Sequence, residues 1–279
     1  MSKTELVKTL IWRSFHFIKF YFRAKNRYRI HHSTIYDFCL QVLDDRRRFY
    51  LFGDVQAWRE ELKQSRERIE KNEFGAGSQT ISSTRKKESI RDVYQKCSSP
   101  EFKGKWLSRL VWWWQSENIL ELGTCMGVGS AYLAGALKQS KYTGIEGSKV
   151  LSQWTKNGLQ KIGAQQQRVM NGRFEEVLPD LLEKENFDLI FVDGNHTKKA
   201  TLGYDALIRE KNQGRCLLIY DDIYWNPEMQ SAWKEIQAHH NNDLVIDLFF
   251  VGIVAINSSH KMIPRRFSLI PFYCKPLPF

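Results

Sequence analysis

A glycine-rich segment near the middle of the chain has the residue pattern best suited to holding a ligand. Its sequence is Glu121-Leu-Gly-Thr-Cys-Met-Gly-Val-Gly-Ser130. Glycine lets a chain turn sharply and approach a ligand closely, because no Cβ is in the way. A helix that begins near Gly129 would add free amide donors for a carboxylate. The segment therefore predicts a ligand-binding loop.

Spacing disfavours two common nucleotide-binding loops. A dinucleotide fingerprint would need Gly or Ala three residues after Gly129, where this chain has Tyr132. A phosphate-binding P-loop would need a lysine after the last glycine, where this chain has Ser130. Neither NAD nor ATP is the favoured ligand.

Glu146 supplies a carboxylate where the next predicted strand ends. At such a strand end, a carboxylate could accept hydrogen bonds from both ribose hydroxyls of a nucleoside. The alternative is a solvent-facing glutamate without a ligand. The position of Glu146 after a glycine-loop unit favours the ribose interpretation.

Acidic side chains follow two later predicted strands, in Asp193-Gly-Asn-His196 and in Asp221-Asp222. Three carboxylates that converge in a cleft repel one another unless a cation compensates. Oxygen ligands suit Mg²⁺, which would lower the pKa of an attacking hydroxyl, and His196 could then act as general base. In the alternative, Asp193 caps a helix, Asp222 pairs with a basic side chain and His196 only packs.

These residues need a sheet to position them, and the pattern from residue 118 predicts one. Short apolar runs alternate with helical stretches, as in a parallel sheet covered on both faces. The predicted strands are 118–122, 142–145, 168–170, 188–192, 216–220, 244–250 and 253–256. The predicted helices are 130–138, 149–162, 175–183, 198–211 and 227–240. Gly252 is predicted to make the tight connection of a final antiparallel hairpin.

The residue pattern of the N-terminal third predicts a separate extension that is helical and basic. Residues 1–72 have helical spacing throughout, and the charged run Trp58–Lys71 is strongly helix-forming. Residues 74–84 are rich in glycine and hydroxyl side chains, which predicts a linker or a lid. We therefore expect an extension over 1–105 and a ligand-binding domain over 106–279.

At these motifs the sequence resembles class I S-adenosylmethionine (SAM)-dependent methyltransferases. Glu121–Gly129 resembles their motif I, particularly that of the O-methyltransferase branch, and Tyr142–Glu146 resembles their acidic ribose motif. The resemblance covers about residues 106–257. It implies an α/β, Rossmann-like fold with a seven-stranded, mostly parallel sheet that ends in an antiparallel hairpin.

The resemblance also implies roles for particular residues, and SAM as cofactor. The cofactor-binding set is Glu121, Gly123, Thr124, Gly127, Gly129, Glu146, Gly172, Arg173, Phe174 and Asp193. The expected catalytic residues are His196 and Asp193, and the expected Mg²⁺ ligands are Asp193, Asp221 and Asp222. Catechol-type members often have Asn at the second position of the last pair, where this chain has Asp222.

Charge and cysteine content bear on location and partners. Residues 1–105 carry 23 Lys or Arg against 13 Asp or Glu, so the basic character lies in the N-terminal third. Five scattered cysteines without zinc-ligand spacing fit a reducing compartment, so we expect a cytoplasmic protein. Leu6–Phe22 has the pattern of an amphipathic basic helix that packs on its own domain or a partner, or contacts a membrane peripherally.

The favoured function is methyl transfer to a hydroxyl oxygen of a small molecule or saccharide, by a homo-oligomer. The basic N-terminal region leaves RNA or protein open as acceptor, although nucleic acid is not favoured. A non-catalytic interaction protein that retains the fold is the third alternative.

Overall fold

The computed structural model describes residues 3–70, 87–256 and 266–276. The predicted loop 74–84 lies outside these residues. The chain forms two compact units, one made of Met1–Arg46 with Phe191–Phe279 and the other of Arg47–Ile190. The predicted division after residue 105 stays a prediction.

The described strands form a small hairpin and one large sheet. The large sheet has eight strands in the order β10-β8-β9-β7-β6-β3-β4-β5, and the hairpin pairs β1 with β2. The strands are β1 (Arg68–Glu70), β2 (Lys87–Ser89), β3 (Asn118–Leu122), β4 (Lys141–Glu146), β5 (Gln167–Asn171), β6 (Leu189–Val192), β7 (Cys216–Asp221), β8 (Leu244–Asp247), β9 (Val251–Ile256) and β10 (Arg266–Ser268). The α/β fold with a mostly parallel sheet is confirmed.

The unit Arg47–Ile190 contains the glycine-rich segment. Its helices are α3 (Tyr50–Gln64), α4 (Ile90–Cys97), α5 (Glu101–Trp114), α6 (Val128–Ala134), α7 (Lys149–Lys161) and α8 (Phe174–Lys184). β3 pairs in parallel with β4, and β4 pairs in parallel with β5. β3 is buried along most of its length because it is a central strand, which explains its continuous apolar run.

The other unit consists of an N-terminal and a C-terminal segment of the chain. Its helices are α1 (Lys3–Arg23), α2 (Ser33–Phe38), α9 (Lys198–Lys211) and α10 (Pro227–His239), with a π-helical turn at Cys39–Leu43 and 3₁₀ turns at Arg27–Arg29 and Phe272–Cys274. β9 runs antiparallel to both β7 and β8, as the predicted hairpin requires. β10 adds to β8 in parallel, so the predicted count of seven strands was one too low.

Two local predictions were wrong. α3 ends at Gln64, and the predicted helical run continues as β1, whose pairing with β2 supplies backbone hydrogen bonds that local propensity does not reveal. Gly252 lies inside β9, and the turn falls at Leu248–Phe250, where Phe249 has a φ of 69°. A Cβ on Gly252 would come within 2.7 Å of the Trp233 ring, so close packing explains this glycine.

Helix starts follow the expected capping chemistry. The side chain of Ser148 accepts the Leu151 amide at the start of α7, and Thr197 caps α9 in the same way. In the parts of the chain that the structure describes, no helix is long and apolar enough to cross a membrane.

Candidate active site

The glycine-rich segment forms a tight loop between β3 and α6. Gly123, Cys125 and Gly127 have φ values of 97°, 47° and 74°. A Cβ on Gly127 would lie 2.8 Å from Cα of Thr155 on α7, so both the backbone conformation and the close approach require glycine. Gly129 lies one residue into α6, in its first turn.

Glu146 at the end of β4 contacts this loop directly. Its Oε2 accepts the Cys125 amide at 2.8 Å, and its Oε1 accepts the Ser148 amide at 2.9 Å. Burial raises the pKa of Glu146, against the opposing effect of these backbone donors. The structure thus brings the predicted ribose carboxylate and the glycine loop together.

The carboxyl group of Glu121 lies inside the protein. Oε2 accepts the hydroxyl of Ser130 at 2.5 Å, and it also accepts the Tyr142 hydroxyl. Burial raises the pKa of Glu121 to about 7, although both hydroxyl donors act in the opposite direction. Glu121 therefore connects β3 to α6 and β4, and its contact with a cofactor stays a prediction.

Thr124 also faces the protein interior. Its hydroxyl lies 2.9 Å from that of Thr155, which donates to the Cys125 carbonyl at 3.0 Å. A Cβ on Gly144 would come within 2.5 Å of the Thr124 methyl group, so β4 needs a glycine where the loop passes over it. These contacts fix the loop on α7 and β4.

The segment Asn171–Phe174, which contains three residues of the predicted cofactor-binding set, lies beside Glu146. The Gly172 amide donates to the Glu146 carbonyl at 3.0 Å, and Nδ2 of Asn171 donates to the same carbonyl at 2.8 Å. Arg173 is exposed at the N-cap of α8, and half-buried Phe174 is the first residue of that helix. Gly172 thus contacts the backbone of Glu146, while contacts of Gly172, Arg173 and Phe174 with a cofactor stay predictions.

Sequence reasoning missed a support from the N-terminal third. Nε1 of Trp58 on α3 donates to the Met126 carbonyl in the glycine loop at 3.1 Å, and the Trp58 side chain is buried. A Cβ on Gly158 of α7 would come within 2.7 Å of the Trp58 ring. The only signal in the sequence is the pairing of a large tryptophan with a helical glycine, and neither residue reveals its partner.

In the other unit, Asp193 and His196 lie close together after β6. Nε2 of His196 is 3.6 Å from Oδ1 of Asp193, and both side chains are partly exposed. Thr197 provides the side-chain cap of α9, so the alternative in which Asp193 caps this helix was wrong. The pair can place an imidazole next to a carboxylate that orients it.

The predicted metal ligands do not come together. Asp221 is the last residue of β7, buried and paired with Val251, whereas Asp222 leaves the strand with a φ of 52°. Across residues 3–70, 87–256 and 266–276, no group of three or more His, Cys, Asp or Glu side chains is arranged to hold a metal ion. The donor set therefore does not fit the predicted Mg²⁺.

Comparisons with known proteins agree with this architecture. Residues 120–223 match the family model described as a methyltransferase domain. No curated protein matches the chain. The family match assigns residues 120–223 to a methyltransferase domain, and the solved structures share the fold of the chain.

Solved structures with this fold include enzymes with bound cofactor. The SAH-bound methyltransferase PaMTH1 from Podospora anserina is 16% identical, with a TM-score of 0.53 over 81% of this chain and 96% of its own. An O-methyltransferase from Bacillus cereus in complex with SAH is also 16% identical, with a TM-score of 0.51 over 75% and 92%. The O-methyltransferase TomG from Streptomyces achromogenes, in complex with SAM, is 19% identical, with a TM-score of 0.50 over 59% and 86%.

Proposed function

We propose that this chain is a class I SAM-dependent methyltransferase, which transfers a methyl group from SAM to a hydroxyl oxygen of a small molecule or saccharide. The observation that carries the proposal is the contact between Glu146 and the glycine loop, since it joins a carboxylate that can accept ribose hydroxyls to a loop that can follow a ligand closely. Three solved structures of this fold bear the names of a methyltransferase or O-methyltransferase and hold SAM or SAH.

The chemistry of the glycine loop and of Glu146 suits the binding of SAM. When bound, SAM supplies a methyl group that its sulfonium already activates. Glu146 would accept hydrogen bonds from the ribose hydroxyls, and the loop from Gly123 to Gly129 would lie along the methionine part. Burial of Glu146 strengthens such hydrogen bonds, because little water competes for its oxygens.

His196 would remove the proton of the acceptor hydroxyl as the oxygen bonds to the methyl carbon and the bond from that carbon to sulfur breaks, which leaves the thioether S-adenosylhomocysteine (SAH). Its imidazole can take up that proton, and Asp193 at 3.6 Å would stabilise the resulting imidazolium. No step passes through a metal, because Asp193, Asp221 and Asp222 do not form a ligand set. Homo-oligomer formation stays a prediction.

Measurements of cofactor binding test the proposal that Glu146 and the glycine loop hold SAM. Glu146→Ala should weaken SAH binding, measured by calorimetry, by about 10- to 100-fold, because a charge-assisted hydrogen bond contributes roughly 1.5–3 kcal/mol. Glu185→Ala serves as the matched control, since Glu185 is a partly exposed carboxylate that pairs with Arg168 in the same unit. Equal affinity in the wild type and the Glu146 variant would contradict the cofactor site.

Turnover assays test the proposal that the methyl group goes to a hydroxyl oxygen and that His196 is the general base. Hydroxylated aromatic compounds and sugars, incubated with methyl-labelled SAM, should give a product that carries the label on oxygen. His196→Gln should lower kcat by about 100-fold or more, as expected for loss of a general base, while SAH affinity stays unchanged. Turnover that EDTA abolishes and Mg²⁺ restores would contradict the metal-free mechanism.

A further inference from the structure

α1 has an inward face that is firmly attached to its own unit. Phe20 is buried against Phe249, with ring centroids 5.5 Å apart, and Phe17 meets the same ring edge-on at 5.0 Å. Nη2 of Arg23 donates to Oδ2 of buried Asp247 at 2.6 Å. The orientation of α1 within this unit is therefore fixed.

The C-terminal end of α1 is held as well. Nζ of buried Lys275 donates to the carbonyls of Tyr21 at 2.7 Å and Ala24 at 3.0 Å, groups that have no later helical turn to bind. Farther toward the N-terminus, the Arg13 guanidinium lies over the Trp225 ring at 4.8 Å. These interactions hold α1 from Arg13 to its C-terminal end and determine which face of the helix is left outward.

The outward face of α1 is an exposed apolar surface. Its large side chains recur every three or four residues and are between 52% and 74% exposed. They are Val7, Leu10, Ile11, Phe15, Ile18 and Phe22. Such spacing places these six residues, called here the α1 stripe, along one side of a helix. Apolar surface of this extent marks an interaction site.

The charges around the α1 stripe indicate what it contacts. Residues 1–29 contain eight Lys or Arg residues and a single acidic residue, Glu5. Lys8 and Lys19 are exposed and flank the stripe, and Nζ of Lys19 lies 4.2 Å from the Phe15 ring centroid. An apolar face with aromatic residues and a basic border is typical of helices that lie in the interface of an anionic membrane.

We propose that the α1 stripe lies on an anionic lipid surface and holds the unit that contains α1 against it. The apolar side chains would enter the boundary between headgroups and acyl chains, while Lys8 and Lys19 contact lipid phosphates. Pairing of two copies through the stripe fits less well, because a two-fold axis would bring the basic flanks of both helices together with little acid to compensate.

Vesicle co-sedimentation of the intact chain tests this proposal. The wild type should bind phosphatidylcholine vesicles that contain phosphatidylglycerol, and binding should fall steeply with salt and with removal of the anionic lipid. Ile11→Asp combined with Ile18→Asp should lower vesicle binding at least about tenfold, because two charges would have to enter the apolar layer. Lys8→Gln combined with Lys19→Gln should lower it roughly fivefold per charge.

Tyr50→Asp is the matched control, because Tyr50 is 97% exposed and lies on α3, outside the stripe. This variant should bind vesicles as the wild type does. Circular dichroism and SAH binding should be unchanged in all variants, which separates a failure of membrane binding from a failure of the proposed methyl transfer.

Three results would overturn the proposal. The first is wild-type protein that stays in the supernatant with anionic vesicles. The second is a dimer, seen by sedimentation velocity, that Ile11→Asp with Ile18→Asp dissociates, which would assign the stripe to a second copy. The third is salt-sensitive binding of single-stranded RNA that the lysine variants abolish while vesicle binding persists.

Discussion

At the scale of single residues, the unit Arg47–Ile190 contains two buried carboxylates, Glu146 and Glu121, with different surroundings. Glu146 accepts backbone amides at the edge of the loop, whereas Glu121 is fully enclosed and accepts two side-chain hydroxyls. Both groups have a raised pKa because burial disfavours the ionised form. The fully enclosed group has the clearer consequence for stability.

The pH dependence of stability should report on Glu121. Its folded-state pKa is about 7, above the ordinary value of 4.5, so the folded protein holds a proton that the unfolded chain releases. The free energy of unfolding should therefore fall as the pH rises from about 4.5 to about 7, by an amount of the order of 3 kcal/mol. Glu121→Gln should remove most of this decline.

Urea unfolding of the wild type and of Glu121→Gln across this pH range measures the effect. Glu185→Gln is the control, because its partly exposed carboxylate should leave the wild-type decline in place. Parallel pH profiles for the wild type and the Glu121 variant would show that Glu121 does not titrate in this range.

At the scale of elements, the glycine loop is supported by a helix that precedes it by about 60 residues in the chain. α3 reaches the loop through Trp58, and α7 reaches it through Thr155. Such packing of helices against a loop determines how rigidly the loop is held, and rigidity lowers the entropic cost of binding a ligand. The N-terminal third is therefore part of the loop's support.

Trp58→Phe should weaken SAH binding without unfolding the protein. The variant keeps the aromatic packing but leaves the Met126 carbonyl without the indole donor, which destabilises the loop by about 1 kcal/mol and limits the weakening of SAH binding to roughly fivefold at most. Calorimetry measures the change. Trp154→Phe is the control, because the Trp154 ring packs 5.7 Å from the Trp58 ring and its replacement keeps the indole donor of Trp58.

At the scale of the whole molecule, two segments that are far apart in the chain form one compact unit. They are residues 1–46 and residues 191–279. Asn26 donates to the carbonyl of Lys275 at 2.7 Å, and the Phe272 amide donates to Asp44 at 2.7 Å. The first helices thus share a core with the last strands.

A chain shortened to residues 47–279 should not fold as the intact protein does. It would expose the apolar ring of Phe249 and remove the Arg23 guanidinium from Asp247, which would keep the Tyr224 hydroxyl and the Phe249 amide as donors. We expect the shortened chain to aggregate or to lose its near-ultraviolet circular dichroism. A chain of residues 3–279 is the control and should fold as the intact protein does. A monomeric 47–279 chain with native spectra would instead favour a separable N-terminal extension.

The sequence alone determined the α/β class, most strand and helix positions in residues 118–256, and the glycine loop with Glu146 after the next strand. These features are local, because each apolar run, helical period and obligatory glycine is encoded within one short segment. The expected cofactor came from the resemblance of the loop and of Tyr142–Glu146 to motifs of class I SAM-dependent methyltransferases.

Only the tertiary structure decided the rest. It placed Trp58 under the loop, added β10 to the sheet, enclosed Glu121 and left the α1 stripe outward, and in the described residues it formed no metal-binding group from Asp193, Asp221 and Asp222. Each of these outcomes depends on interactions between residues far apart in the chain. Local patterns do not carry this information, because it arises only when the segments pack together.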